Sequence, residues 1–123
     1  MCGITGCINK NGNAVSSVID GLNKLQNRGY DSAGICILLN NQLIIDKYVS
    51  TDNISAMKQL GESKTLTLQS SISIGHTRWA THGSKTVENA HPHHDDDRRF
   101  ALVHNGIIEN YSFLKSQLSG YHF

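Results

Sequence analysis

The chain has 123 residues, room for a single small domain, and with 38% hydrophobic residues it can build only a thin core. Eleven Lys and Arg against ten Asp and Glu leave a formal charge of +1, which indicates neither a polyanion-binding surface nor an acidic tail and makes nucleic acid no default partner. No apolar run nears the roughly 20 residues that span a bilayer and the N-terminus lacks a secretory pattern, so a cytoplasmic chain without a membrane partner is expected.

Three cysteines, an odd number without CxxC spacing, argue against a disulfide framework and fit a reducing compartment. A single proline and eleven scattered glycines mark no linker, repeat or boundary, so residues 1–123 read as one unit.

Residues 2–8 read as a strand of small residues, ended by the turn signal Lys10-Asn11-Gly12-Asn13. Val15, Val18, Ile19, Leu22 and Leu25 recur at helical spacing, in a stripe that stops near Arg28-Gly29. Residues 35–39 and 43–49 flank Asn40-Asn41 as a hairpin would. Thr51-Asp52 offers an N-cap for a short helix carrying Ile54, Met57 and Leu60 and stopped by Gly61. Residues 71–75 and 100–103 read as two strands, each running into a polar cluster of the kind that rigid scaffolds hold at strand ends. Asn110 could cap a last helix with Phe113, Leu114 and Leu118, closed by Gly120, and residues 121–123 read as the start of another strand.

Cys2 follows the initiator Met and becomes N-terminal if Met1 is trimmed. A free α-amino group titrates at about 7.7–8.0, so one residue could then supply a thiol nucleophile and the base that takes its proton. By itself a second-position cysteine is more often incidental. Residues 75–83 gather Arg78, Trp79, Thr81, His82 and Gly83; Arg grips a carboxylate through two parallel hydrogen bonds, although an exposed loop with Arg stacked on Trp is the plainer reading. His104-Asn105-Gly106 follows a strand, and an Asn amide with the next Gly N–H can aim at one point as an oxyanion hole requires, against the alternative of an ordinary Asn-Gly turn. The run from Glu88 through His91, His93 and His94 to Asp97 invites a metal site, but the histidines lack clean ligand spacing, and a solvated turn with loop-positioning histidines fits better.

Cys2-Gly3-Ile4, Arg28-Gly29-Tyr30-Asp31-Ser32-Ala33-Gly34, residues 76–83, Asn89-Ala90-His91-Pro92-His93 and residues 104–110 form a five-part pattern in order. It resembles the class II glutamine amidotransferase domain of the isomerizing aminotransferases that make glucosamine 6-phosphate from fructose 6-phosphate. Phosphoribosylpyrophosphate amidotransferases and asparagine synthetases share the N-terminal Cys and an Asn-Gly but differ at residues 76–83 and 89–93.

The resemblance implies an α+β fold, the N-terminal-nucleophile hydrolase type of four-layer α/β/β/α sandwich with antiparallel sheets, here a truncated portion. By the same resemblance Cys2 attacks the side-chain amide of L-glutamine, releasing ammonia and then, through a thioester, glutamate. Asn105 and Gly106 match the oxyanion hole, Arg78 the residue that holds the α-carboxylate, and Trp79, Thr81, His82 and Gly83 the loop that closes over glutamine. Arg28 matches a brace for the first strand and His91 is a supporting residue; neither cofactor nor metal is expected. The family's aspartate for the glutamine α-amino group lies past a segment like residues 120–123, so partners are expected: sugar-phosphate isomerase domains, a complementing chain, or self-association through an uncovered sheet face. The competing readings are a non-catalytic binding or structural piece, a different class II amidotransferase and a small metal-binding module.

Overall fold

The computed structural model describes residues 1–121. The elements run β1 (Gly3–Ile8), α1 (Ala14–Lys24), β2 (Ser32–Leu39), β3 (Gln42–Val49), α2 (Ala56–Gly61), β4 (Ile72–Arg78), β5 (His93–His94), β6 (Ala101–Leu102) and α3 (Tyr111–Gln117), with short 3-10 turns over Gln26–Arg28 and Lys64–Thr67. Four strands form an antiparallel sheet in the order β1-β4-β2-β3, and β5 pairs with β6 in a separate two-stranded ribbon.

The two-residue period of the strands separates two faces of the sheet. Ala33, Ile35 and Ile37 of β2 pack on Val15, Val18 and Leu22 of α1 and on Ala56, Met57 and Leu60 of α2, forming the core. Leu22, Ile35, Ile37 and Leu60 are wholly buried, and each such side chain contributes about 1.5–3 kcal/mol relative to exposure. The opposite face carries Ile4, Ile8, Ile72, Ile74, Gly34, Cys36 and His76, register partners across β1, β4 and β2.

The helical stripe, the hairpin and the first strand lie where the pattern puts them. Asn40 and Asn41 take φ of 51° and 61°, the two positive values of the tight turn that matches strand twist. Several other expectations are corrected. The second helix starts later, capped by Ser55, whose Oγ accepts the Lys58 N–H at 3.2 Å, while Thr51 accepts only the Ile54 N–H. The strand expected at residues 71–75 continues to Arg78, so all three of its last residues lie in the sheet: His76 and Thr77 are paired with both β1 and β2, and Arg78 with β2. The expected strand at residues 100–103 shrinks to Ala101–Leu102, pairing with His93–His94, two histidines read from sequence as loop. Helix α3 forms after Asn110, without a side-chain cap bond, and buries none of its residues. The strand start expected at residues 121–123 falls largely on 122 and 123, outside the described residues.

Gly34 sets the spacing between the sheet and what lies over its outer face. A Cβ there would sit 2.2 Å from the His91 carbonyl oxygen and 3.1 Å from Pro92, so the backbone of residues 91 and 92 rests directly on β2. That close approach carries His91 and His93 onto the same face as His76.

Candidate active site

Gly3 pairs with Thr77, so Cys2 enters the sheet one residue earlier, at the end where β4 delivers Arg78. His76 and Arg78 are two residues apart on β4 and share its outer face. The chain after β6 returns to this corner with residues 104–107, where Gly106 at φ +142° has a backbone conformation that side chains rarely adopt. These segments enclose a cavity of about 590 Å³ lined by Met1, Cys2, Arg28, His76, Arg78, Trp79, Thr81, His82, Asn89, His91, His93 and residues 104–107.

Nearly all the residues singled out from sequence thus meet in one place: Cys2, Arg28, Arg78, Trp79, Thr81, His82, His91, Asn105 and Gly106 all line the cavity. Gly83 does not. At φ +75° it makes the turn of the loop, 3.5 Å in ideal Cβ position from Arg78 Nη2. The cysteine sulfur accepts the Trp79 N–H at 3.3 Å, and the Cys2 carbonyl accepts a hydrogen bond from Asn105 Nδ2 at 3.1 Å. Arg78 donates to the carbonyls of Ser84, at 3.1 Å, and His82, so its guanidinium also braces the loop it precedes.

That loop has a second anchor, which the sequence reading left without a role. The almost fully buried Asp31 accepts the Ala80 N–H at 2.7 Å and pairs with Lys85 at 2.5 Å. Burial opposes the Asp31 charge, yet Lys85, the Ala80 N–H and the Arg78 charge outweigh it and hold the carboxyl below its usual range. Beside it the Tyr30 and Trp79 rings lie 5.3 Å apart. Asn89 ties the far end of the loop, donating to the Ser84 carbonyl at 3.1 Å.

Three imidazoles form the floor: the His76 and His91 rings are 4.4 Å apart and those of His91 and His93 are 4.3 Å apart. Burial, then the like charges of His76 and His93, push His91 down to about 4, and burial first of all lowers His76 and His93 as well. At neutral pH the floor is an uncharged cluster of tilted and edge-on rings. His76, His93 and Asn89 were missed as cavity residues; alternation along β4 after Gly75 was the available signal for His76, and none existed for the ribbon that brings in His93. Among the described residues no group of three or more His, Cys, Asp or Glu is arranged to hold a metal ion, and no helix is long and apolar enough to cross a membrane.

The fold is a portion of the N-terminal-nucleophile amidotransferase type, as its likeness to two solved structures shows. A solved allosteric regulatory enzyme of purine biosynthesis superposes with a TM-score of 0.79 at 27% identity, over 100% of this chain and 26% of the other. Glutamine phosphoribosylpyrophosphate amidotransferase from B. subtilis gives 0.71 at 29% identity, over 99% and 25%. No family model matches the chain. Among curated proteins it is 55% identical over 119 residues to a probable glutamine–fructose-6-phosphate aminotransferase (isomerizing) of Acanthamoeba polyphaga mimivirus, covering 96% of this chain and 20% of that protein. Its identity to the enzymes of the same name from Streptococcus pneumoniae and Chlamydia trachomatis is 47% and 49%, over 100% and 96% of this chain and 19% and 18% of theirs. Over nearly its whole length the chain is similar to a part of these glutamine–fructose-6-phosphate aminotransferases. It spans about a fifth of the length of the relatives it matches.

Proposed function

We propose that residues 1–123 are part of a glutaminase domain that hydrolyses L-glutamine, in the cytoplasm, to feed ammonia to glucosamine 6-phosphate synthesis from fructose 6-phosphate. The observation that carries this reading is the convergence of the Cys2 thiol, the Asn105 amide, the Gly106 backbone and the Arg78 guanidinium on one cavity of about 590 Å³. After loss of Met1, the α-amino group of Cys2 takes the thiol proton and the sulfur attacks the glutamine amide carbon. The tetrahedral oxyanion is stabilised by Asn105 Nδ2 and the Gly106 N–H. Collapse expels ammonia, which takes its proton from the α-ammonium group, and leaves a glutamyl thioester. Water then attacks that thioester, releasing glutamate and restoring the thiol.

In this reading Arg78 binds the glutamine α-carboxylate, and Trp79, Thr81, His82 and Gly83 form the loop over the substrate. Arg28 braces the first strand and His91 supports the floor. Sugar-phosphate isomerase domains or a complementing chain would use the ammonia, and the exposed outer face of the sheet supplies a surface for such a partner or for self-association.

The test is covalent. Intact mass should show loss of Met1, and a glutamine analogue with an electrophilic ketone in place of the amide should modify Cys2 while sparing Cys7 and Cys36, with glutamine protecting. Retained Met1, or equal labelling of all three cysteines, would sink the reading.

A further inference from the structure

We propose that His76 is a positioning residue for the oxyanion hole: its Nε2–H holds the Asn105 side-chain amide in the rotation that turns Nδ2 toward Cys2. The proposal rests on the roles given above to Cys2 and Asn105. Two contacts of the Asn105 side chain carry it. Nδ2 lies 3.1 Å from the Cys2 carbonyl oxygen, and Oδ1 lies 2.9 Å from His76 Nε2.

A carbonyl oxygen only accepts, so the first contact decides which end of the amide faces Cys2. The amide oxygen is then left facing the imidazole, and that pair bonds only if Nε2 carries the hydrogen. The other ring nitrogen agrees. His76 Nδ1 is buried with no hydrogen-bond partner among the described residues, and a hydrogen placed there would be an unsatisfied buried donor. Protonation at Nε2 pairs that nitrogen with Asn105 Oδ1 and leaves at Nδ1 a bare acceptor and no buried unpaired donor.

The ring can serve as a reference because it cannot swing. His76 is 1% exposed, stands on a strand paired on both sides, and has its ring 4.4 Å from that of His91. Its register partner on β1 is Ile4, two residues after the nucleophile. Asn105, by contrast, sits on an exposed loop. Without the imidazole donor, rotation of the amide by half a turn would present Oδ1 where negative charge develops and remove the stabilisation. Charged and titratable groups around the ring are Arg78 on its own strand, His91 and His93 on the covering segment, and Lys47 of β3 beyond His93. Burial leads these influences in favouring the neutral ring, which donates through Nε2 without setting a competing charge beside the site.

Isotope-labelled histidine NMR on the whole chain should show His76 as the Nε2–H tautomer at pH above about 6.5. An Nδ1–H tautomer would overturn the proposal, whatever the activity. His76→Leu should then slow Cys2 modification by the ketone analogue by about 10²-fold at saturation, as a misplaced catalytic group does. The half-saturating concentration and the reaction of Cys2 with iodoacetamide, which needs no oxyanion hole, should be unchanged. His76→Gln, whose amide nitrogen reaches roughly the Nε2 position, should recover most of the rate. If wild type reacts and the leucine variant matches it, the positioning role is overturned alone. A wild-type chain inert to the analogue at Cys2 even when the remainder of the amidotransferase domain is supplied overturns the glutaminase reading and this proposal with it. Should the leucine variant not fold, the wild-type tautomer and the glutamine variant still decide.

Discussion

At the residue scale the sharpest question belongs to Arg78, because its guanidinium already donates to the Ser84 and His82 carbonyls and could be a brace, a carboxylate reader or both. A planar fork that pairs with a carboxylate loses that geometry in lysine, although the charge survives. Truncating one partner of a buried charge pair commonly costs about 2–5 kcal/mol. Arg78→Lys in a glutamine-binding form of the protein should therefore weaken L-glutamine strongly and leave an amide analogue without the α-carboxylate nearly unaffected, as titration of both ligands on both proteins would measure. Equal losses for the two ligands would make Arg78 a brace for residues 79–84 alone. The neighbouring residues show what a sequence can and cannot disclose. That Cys2, Arg78 and Asn105 meet at one cavity was legible, because each proposed role asks for a particular side chain. The part of Asp31 was not: its work, holding the Ala80 N–H and Lys85, exists only once β2 and the loop after β4 lie side by side.

At the scale of elements, the site depends on a segment lying against the sheet with nothing between them. Gly34→Ala would drive a methyl group to 2.2 Å from the His91 carbonyl oxygen, a backbone atom that cannot step aside as a flexible side chain would. Overpacking of this kind costs about 1–3 kcal/mol, so urea denaturation should show that loss together with slower analogue labelling of Cys2, and a variant of unchanged stability would contradict the close approach. Acid should act on the same contact. The unfolded chain protonates histidines near about 6.5, whereas His91 resists to about 4 and His76 and His93 are lowered too. Between those values the unfolded state takes up more protons, so stability is full above about pH 6.5 and falls as the pH drops toward 4. Melting temperature against pH should display this slope, and His91→Asn should flatten it. Helix α1 and the hairpin were legible because three- and four-residue spacing and an Asn pair are local signals. The His93–His94 ribbon was not, since two-residue strands carry no period and owe their pairing to the sheet beneath.

For the molecule as a whole, the two faces of the main sheet are unequal. Helices α1 and α2 seal one, while the other exposes Ile4 at 42%, Ile72 at 40% and Ile8 at 82%, adjacent positions on the β1 and β4 pair. Phe100 and Leu102 beyond it are 69% and 55% exposed, and α3 adds Phe113 and Leu114 without burying either. Exposed apolar residues gathered on one face are of the kind that a further layer of protein covers. The 123-residue chain should consequently bind a hydrophobic dye and sediment above its monomer mass as concentration rises. Ile8→Lys together with Ile72→Glu places opposite charges on register partners far from the Cys2 cavity, so each charge has a mate and the strand pair keeps its geometry. Dye binding and self-association should both fall in that double variant, while the tautomer of His76 stays as it was. A chain that remains monomeric and dye-free at high concentration would mean that the exposed isoleucines are scattered surface residues, and that the sheet needs no second layer to be soluble.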